Sequence, residues 1–221
     1  MPDGNNRNNR IKAVVFDIDG TLSSDISWTK LTRQLGLRVP HYMEIYEKFK
    51  SGAVGYETAK NGLLMLWTAL GPLSKSRLTE IFEDWELKKD AIPIFQHLKS
   101  KGYTTCLITG SLDLFAEVVA KKVGADSWYA NANLVWDDNG NLTDLIYERN
   151  ASWKKLEQLK EFCASNSLNL NECVVVGDDN NDIEMFKATG KGIAVESPTS
   201  EAVEPYAWRR VKDLEEIKNI L

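Results

Sequence analysis

A short apolar run that stops abruptly on carboxylates constrains this chain more than any other feature. Ile11-Lys12-Ala13-Val14-Val15-Phe16 is rich in β-branched residues and gives way to Asp17-Ile18-Asp19-Gly20-Thr21. A run of that length and composition reads as a strand buried on both faces, and Asp and Gly end it. The pattern recurs. Residues 104–108 lead into Thr109-Gly110-Ser111, and Cys173-Val174-Val175-Val176 leads into Gly177-Asp178-Asp179.

The intervening stretches read as helices. Between the first and second runs the spacing predicts helices near 27–36, 40–50, 55–70 and 75–88, broken at Gly36, Pro40, Gly52 to Gly55 and Gly71-Pro72. After Asp90 come a helix over 92–101 with Pro93 in its first turn, a helix over 112–123 ending at Gly124, and a strand at 128–130. A hairpin of 134–136 and 142–147 turns at Asn139-Gly140. A helix over 153–166 follows Ser152, another starts near Asp182, 192–195 is a strand, and the tail from Asp213 is helical. Strands alternating with helices imply an α/β fold with a Rossmann-like parallel sheet covered on both faces. The helical stretch after the first strand implies an inserted cap. The expected division is a core of 1–24 and 90–221 and a cap of 25–89, with 1–10 a polar, Asn-rich disordered arm.

Composition excludes some partners. The 221 residues carry a net charge of −5, which leaves no electrostatic footprint for nucleic acid or an anionic membrane. Any phosphate site must therefore be made positive locally, by a metal, a lysine or a helix N-terminus. Cys106, Cys163 and Cys173 are too few for a disulfide framework, and His41 and His97 have no zinc-ligand spacing to them. The two histidines read as structural or surface residues. No apolar run has the length of a membrane span, and the start lacks a signal peptide's apolar run. A cytoplasmic monomer or homodimer is expected.

In open α/β sheets, ligands bind beyond the carboxyl ends of the strands. If the three polar strand ends adjoin, Asp17, Asp19, Asp178, Asp179 and Asp182 crowd one small site. Carboxylates that close raise one another's pKa unless a cation sits among them, and oxygen ligands with open water positions suit Mg²⁺. A carboxylate beside Mg²⁺ and a phosphate points to phosphoryl transfer with an aspartate as covalent nucleophile.

Four motifs in order resemble the haloacid dehalogenase superfamily, and within it the phosphoserine phosphatase branch. They are Asp17-x-Asp19-Gly20-Thr21 after an apolar strand, Thr109 after a second, a lysine near 155, and Gly177-Asp178-x-x-x-Asp182 after a later strand. The resemblance implies that Asp17 attacks phosphorus and Asp19 serves as acid and then base. It implies Mg²⁺ held by Asp17, the Asp19 backbone carbonyl and Asp178, with Asp182 orienting the lysine and the metal's waters. Thr109 and Gly110 would bind phosphate oxygens, Lys155 would neutralise phosphate and nucleophile, and Asn181 would reach the substrate. The implied partner is a small phosphate monoester.

Plainer readings compete. Asp17 and Asp19 could close an ordinary strand-to-turn junction. A calcium loop fails, because its glycine and glutamate positions fall on Leu22 and Trp28. Asn180 or Asn181 could simply cap a helix, and Ser111 is a better cap than Thr109. Lys154 and Lys155 both sit where positive charge opposes the helix dipole. Lys155 is favoured because it shares a face with Leu159 and Phe162.

The cap departs from the branch it resembles. The positions expected to meet a substrate amine and carboxylate hold Ile26, beside Asp25, and Leu63. Losing a bidentate arginine removes strong carboxylate recognition. Ile26, Trp28, Leu63, Leu64 and Trp67 instead suggest an apolar or larger ester, with Trp85 a further candidate pocket wall. Besides hydrolysis, a phosphotransferase or mutase using the same aspartyl phosphate, or a non-catalytic regulatory relative, fits the motifs.

Overall fold

The computed structural model describes residues 10–221; all but the last residue of the expected N-terminal arm lie outside it. In chain order the elements are β1 (Ala13–Phe16), α1 (Ser27–Gln34), α2 (Val39–Lys50), α3 (Tyr56–Trp67), α4 (Lys75–Glu83), α5 (Ala91–Ser100), β2 (Thr104–Leu112) and α6 (Asp113–Val123). They continue with β3 (Ser127–Trp136), β4 (Leu142–Tyr147), α7 (Ala151–Ser165), β5 (Cys173–Gly177), α8 (Ile183–Thr189), β6 (Gly192–Val195) and β7 (Arg209–Val211).

The strands form one seven-stranded sheet in the order β4-β3-β2-β1-β5-β6-β7. Every pairing is parallel except β3 with β4, which is the antiparallel hairpin turning at Gly140. The central strand is fully buried, and its side chains alternate between two cores as a pleated strand requires. Val14 and Phe16 join a cluster with Ile94 and Phe95 of α5 and Phe115 of α6. Ala13 and Val15 join another with Leu159 and Phe162 of α7 and Phe186 of α8. The chain leaves β1 for β2 on one side and later returns to β5 on the other. The crevice at the carboxyl end of β1 is therefore a topological switch point, where such sheets bind ligands.

Several boundaries differ from the sequence expectation. β2 continues through Thr109-Gly110-Ser111 to Leu112, with a register shift against β3 between Thr109 and Leu112. Ser111 thus lies in a strand, and α6 starts with Leu112 at its N-cap and no capping side chain. Asn150, not Ser152, caps α7, accepting from the Trp153 N–H at 3.3 Å. Asp179, rather than either asparagine, caps the 3-10 turn Asn180–Asp182. The helix expected to reach 88 stops at Glu83. The strand expected at 128–130 runs from Ser127 to Trp136, and the tail forms a 3-10 helix over Leu214–Asn219. Trp85 is core, not pocket: it packs on Phe82 and Phe115 and donates from Nε1 to Ser23 Oγ at 3.0 Å. All three cysteines are buried.

Candidate active site

Asp17 sits one residue beyond β1, still tied to the sheet by its N–H to the Val176 carbonyl at 2.9 Å. The turn after it is tight. Gly20 has φ +79°, and a Cβ there would run into the Asp178 carboxylate. Only glycine accommodates both the left-handed backbone and that approach. The Thr21 hydroxyl then donates to Asp178 Oδ1 at 2.8 Å, and Thr199 donates to Oδ2 at 3.1 Å. Lys88 closes the turn from outside, its Nζ donating to the Gly20 carbonyl at 2.7 Å.

Lys155 binds the first and last motifs together. Its Nζ donates to Asp17 Oδ1 and to Asp182 Oδ1, each at 2.8 Å, and its side chain is wholly buried. Burial would lower the ammonium's pKa, but Asp17 and Asp182 together outweigh it and hold it above lysine's usual value. Lys154, by contrast, points to Glu157 at 3.6 Å on the surface. The second oxygen of Asp182 accepts the backbone N–H groups of Asp178 and Asp179 at 3.1 and 3.3 Å. Both oxygens of Asp182 are thus engaged by the protein. Asp17 accepts only from Lys155 among the described residues, which leaves its other oxygen open.

Asp17, Asp178 and Asp182 each offer an oxygen within 4.8 Å of the others. Three carboxylates face one ammonium. Burial raises Asp17 well above the carboxylate range, with Asp182 and Asp178 adding to the rise and Lys155 opposing it. Burial and Asp182 raise Asp178 as well. A hard divalent cation among these oxygens would relieve that excess, and the all-oxygen donor set fits Mg²⁺.

Asp19 faces the same pocket from the turn. Ser27, at the start of α1, donates to it from its N–H at 3.1 Å and from its hydroxyl. The Ser27 hydroxyl also contacts Ser111 Oγ on β2. Burial pushes the Asp19 carboxyl up to about 7, against the pull of the Ser27 hydrogen bonds. Thr109 is buried and accepts the Ser111 N–H at 3.2 Å, so its own hydroxyl proton is free to point elsewhere. Thr109, Gly110 and Asn181 line the pocket, and the buried Asn181 Oδ1 has no partner among the described residues.

All eight residues singled out in the sequence therefore lie in or against one crevice: Asp17, Asp19, Thr109, Gly110, Lys155, Asp178, Asn181 and Asp182. The pocket extends from them to about 430 Å³ between α1, α2, α3 and β4. Ile26, Trp28 and Leu63 line it, whereas Leu64 does not and Trp67 stacks behind Trp28 at 5.8 Å. Sequence reasoning missed Ser27, Thr199 and Lys88, which have no motif of their own. It also missed Tyr42, Tyr46 and Phe49 on α2, although their spacing marks one helix face.

Known proteins bear on this arrangement. The chain is 26% identical to the phosphoserine phosphatase of Methanocaldococcus jannaschii over 185 residues, 83% of this chain and 84% of that one. It is 27% identical to the phosphoserine phosphatase of Streptococcus thermophilus over 213 residues, 92% of this chain and 96% of that one. A solved phosphoserine phosphatase, held as an analogue of its phospho-aspartyl intermediate, superposes with a TM-score of 0.73 at 25% identity, covering 96% of this chain and 99% of that chain. The family model for haloacid dehalogenase-like hydrolases matches residues 11–190, which run from the entry of β1 past Lys155, Asp178 and Asp182. The chain belongs to the haloacid dehalogenase-like hydrolases.

Proposed function

We propose that this protein is a Mg²⁺-dependent phosphatase that hydrolyses a small phosphate monoester through an aspartyl phosphate on Asp17. One observation carries the reading. A buried lysine joins Asp17 to Asp182 while a second oxygen of Asp17 stays uncommitted, and Asp178 adds a third carboxylate with an oxygen within 4.8 Å of theirs. A purely structural ion pair has no use for the uncommitted oxygen or the third carboxylate.

The Asp17 carboxylate attacks phosphorus in line with the leaving oxygen. The bond to the alcohol breaks as the bond to Asp17 forms. Asp19, protonated near neutrality by virtue of its burial, gives its proton to the departing alkoxide. It then takes a proton from water as that water attacks phosphorus, releasing inorganic phosphate and restoring Asp17. Thr109 Oγ and the Gly110 N–H donate to the phosphoryl oxygens. Lys155 balances charge on Asp17 and the phosphoryl group, and Asp182 fixes the lysine. The carboxylates of Asp17 and Asp178 and the backbone carbonyl of Asp19 would hold Mg²⁺. The bound ion neutralises charge gathering on the transferring group.

Residues 25–89 form the cap over this centre, and 90–221 with the segment through residue 24 form the core. Phosphoserine is a poor fit to the cap. Ile26 and Leu63 stand where its amine and carboxylate would need charged partners, and burying those groups unpartnered costs several kcal/mol. The relatives named above therefore guide the chemistry more than the substrate.

Release of inorganic phosphate from a panel of monoesters, with Mg²⁺ and without any phosphoryl acceptor, tests the reading. Turnover that chelator abolishes and Asp17→Asn eliminates is expected. Turnover that requires an added acceptor would make the protein a transferase instead. Undiminished rates for Asp17→Asn would mean that another group attacks.

A further inference from the structure

The outer pocket, beyond the reacting centre, is walled by aromatic rings from separate elements. Trp28 comes from α1, Tyr42 and Tyr46 from α2, and Tyr147 from β4. The rings are held in place. Trp28 stacks on Trp67 at 5.8 Å and 22°, and Trp67 Nε1 donates to Thr32 Oγ1 at 3.2 Å. Trp28 and Tyr147 meet edge to face at 6.0 Å and 89°. Tyr42 and Tyr46 stack at 6.2 Å and 19°. Tyr42 lines the same pocket as Asp19 and Asp17, so the aromatic wall is continuous with the reacting end.

Among the described residues, the one lysine in the outer pocket and an aspartate beside it are already paired. Lys60, in its wall, is paired with Glu57 at 3.1 Å and Asp144 at 3.0 Å. Asp25 is paired with Lys30 at 2.7 Å. No arginine lines the pocket among the described residues. A substrate carboxylate would thus find no uncommitted cation in the lining, whereas Asp179, which accepts the Asn181 N–H, is a lining carboxylate without a salt-bridge partner among the described residues. Two hydroxyls of the wall are likewise committed. Thr29 Oγ1 already donates to the Ile26 carbonyl at 2.9 Å, and the Tyr56 hydroxyl is engaged with the β4 backbone. Pre-formed, mostly apolar walls with few polar groups favour a ligand that is itself flat and apolar.

We propose that the outer pocket selects phosphate monoesters of alcohols bearing an uncharged aromatic ring, with the ring lying among Trp28, Tyr42, Tyr46 and Tyr147. The proposal rests on the phosphatase reading of Asp17 and deepens it by naming the leaving group. The products are inorganic phosphate and the free aromatic alcohol.

Matched alkyl esters test it, because they hold leaving-group reactivity nearly constant. Initial rates of phosphate release are measured with Mg²⁺ for 2-phenylethyl phosphate, ethyl phosphate, phosphoserine and phosphocholine. The phenyl ester should exceed ethyl phosphate in kcat/KM by on the order of 10- to 100-fold, the worth of burying one ring. Trp28→Ala should shrink that ratio toward one. If the variant folds poorly, inhibition of the wild-type protein by 2-phenylethylphosphonate and ethylphosphonate reads the same preference, the first binding more tightly by a similar factor. Phosphoserine or phosphocholine as the best ester, or a phenyl-to-ethyl ratio near one, would overturn the aromatic selection and leave the phosphatase standing. Phosphate release from none of the four esters, with equal inhibitor binding, would overturn both.

Discussion

The hydroxyl of Tyr56 accepts the backbone N–H of Tyr147 at 2.9 Å and donates to the Leu145 carbonyl at 3.3 Å. Through this side chain and the Lys60–Asp144 pair, α3 covers the open edge of β4, one edge strand of the sheet. An uncovered edge strand is an invitation to pair with another chain. The same contact fixes Tyr147, an aromatic wall of the pocket, relative to the helices over the active site. Tyr56→Phe keeps the ring and removes the hydroxyl. It should lower stability by about 0.5–1.5 kcal/mol, the net worth of a typical hydrogen bond. Urea denaturation of the two proteins checks this. Equal midpoints would mean that packing of the ring alone holds α3 on β4.

Lys155 is the larger energetic commitment. Replacing it with Met leaves Asp17 and Asp182 facing each other without their shared cation. Breaking a buried pair in this way destabilises by roughly 3–5 kcal/mol, because the remaining charges are uncompensated. Lys155→Met should therefore melt much lower than wild type and release no phosphate. Mg²⁺ should raise its melting temperature more than it raises that of wild type, since the ion then supplies the positive charge that Asp17 and Asp182 have lost. Wild-type stability in the variant would mean that the carboxylates are neutral when the lysine is present.

The same carboxylates make stability depend on pH and metal together. Burial raises Asp17 and Asp178, and takes Asp19 to about 7. Their unfolded values are near 4. Groups whose folded pKa is raised stabilise the fold when protonated. That contribution is fully present below about pH 4 and is lost as pH rises through each folded pKa, which for Asp19 is about 7. Mg²⁺ held by the ionised carboxylates of Asp17 and Asp178 would work in the opposite sense. The gain in melting temperature on adding Mg²⁺ should thus be larger at pH 8 than at pH 5.5. Thermal melts at both pH values, with and without the ion, check it. An equal or larger gain at pH 5.5 would contradict binding by the Asp17 and Asp178 carboxylates.

How much of this was legible beforehand varies with the physical cause. β1 and β5 were plain, because strands buried on both faces must be continuously apolar, and the polar residues that end them mark the site. Lys154 and Lys155 both sit where charge opposes the helix dipole, and the face shared with Leu159 and Phe162 singled out Lys155. β7 did not show, because two of its three residues are exposed arginines and its strand form is imposed by pairing with β6. Thr199 reaches Asp178 across 21 positions from a loop with no motif. Tyr42, Tyr46 and Phe49 share a helix face that reads equally well as core. Only the placement of α2 over the crevice makes them a pocket wall.

Ser27 offers a way to separate positioning of the general acid from the acid itself. Asp19→Asn removes the proton donor and should slow turnover by about 10²–10⁴-fold. Ser27→Ala is subtler. The Ser27 hydroxyl donates to the Asp19 carboxylate and so favours its ionised form, holding the pKa below where burial alone would put it. Deleting the hydroxyl removes that preference, and the Asp19 pKa rises. Protonation of the leaving alkoxide needs the acid form, so the alkaline limb of the kcat/KM profile should move to higher pH. The backbone N–H of residue 27 still meets Asp19, so geometry is loosened and not abolished, and the rate at the optimum should fall far less than in Asp19→Asn. The profiles of wild type and Ser27→Ala, measured on an unactivated alkyl phosphate, decide the matter. An alkaline limb that stays in place, or moves to lower pH, would mean that a group other than Asp19 supplies the proton.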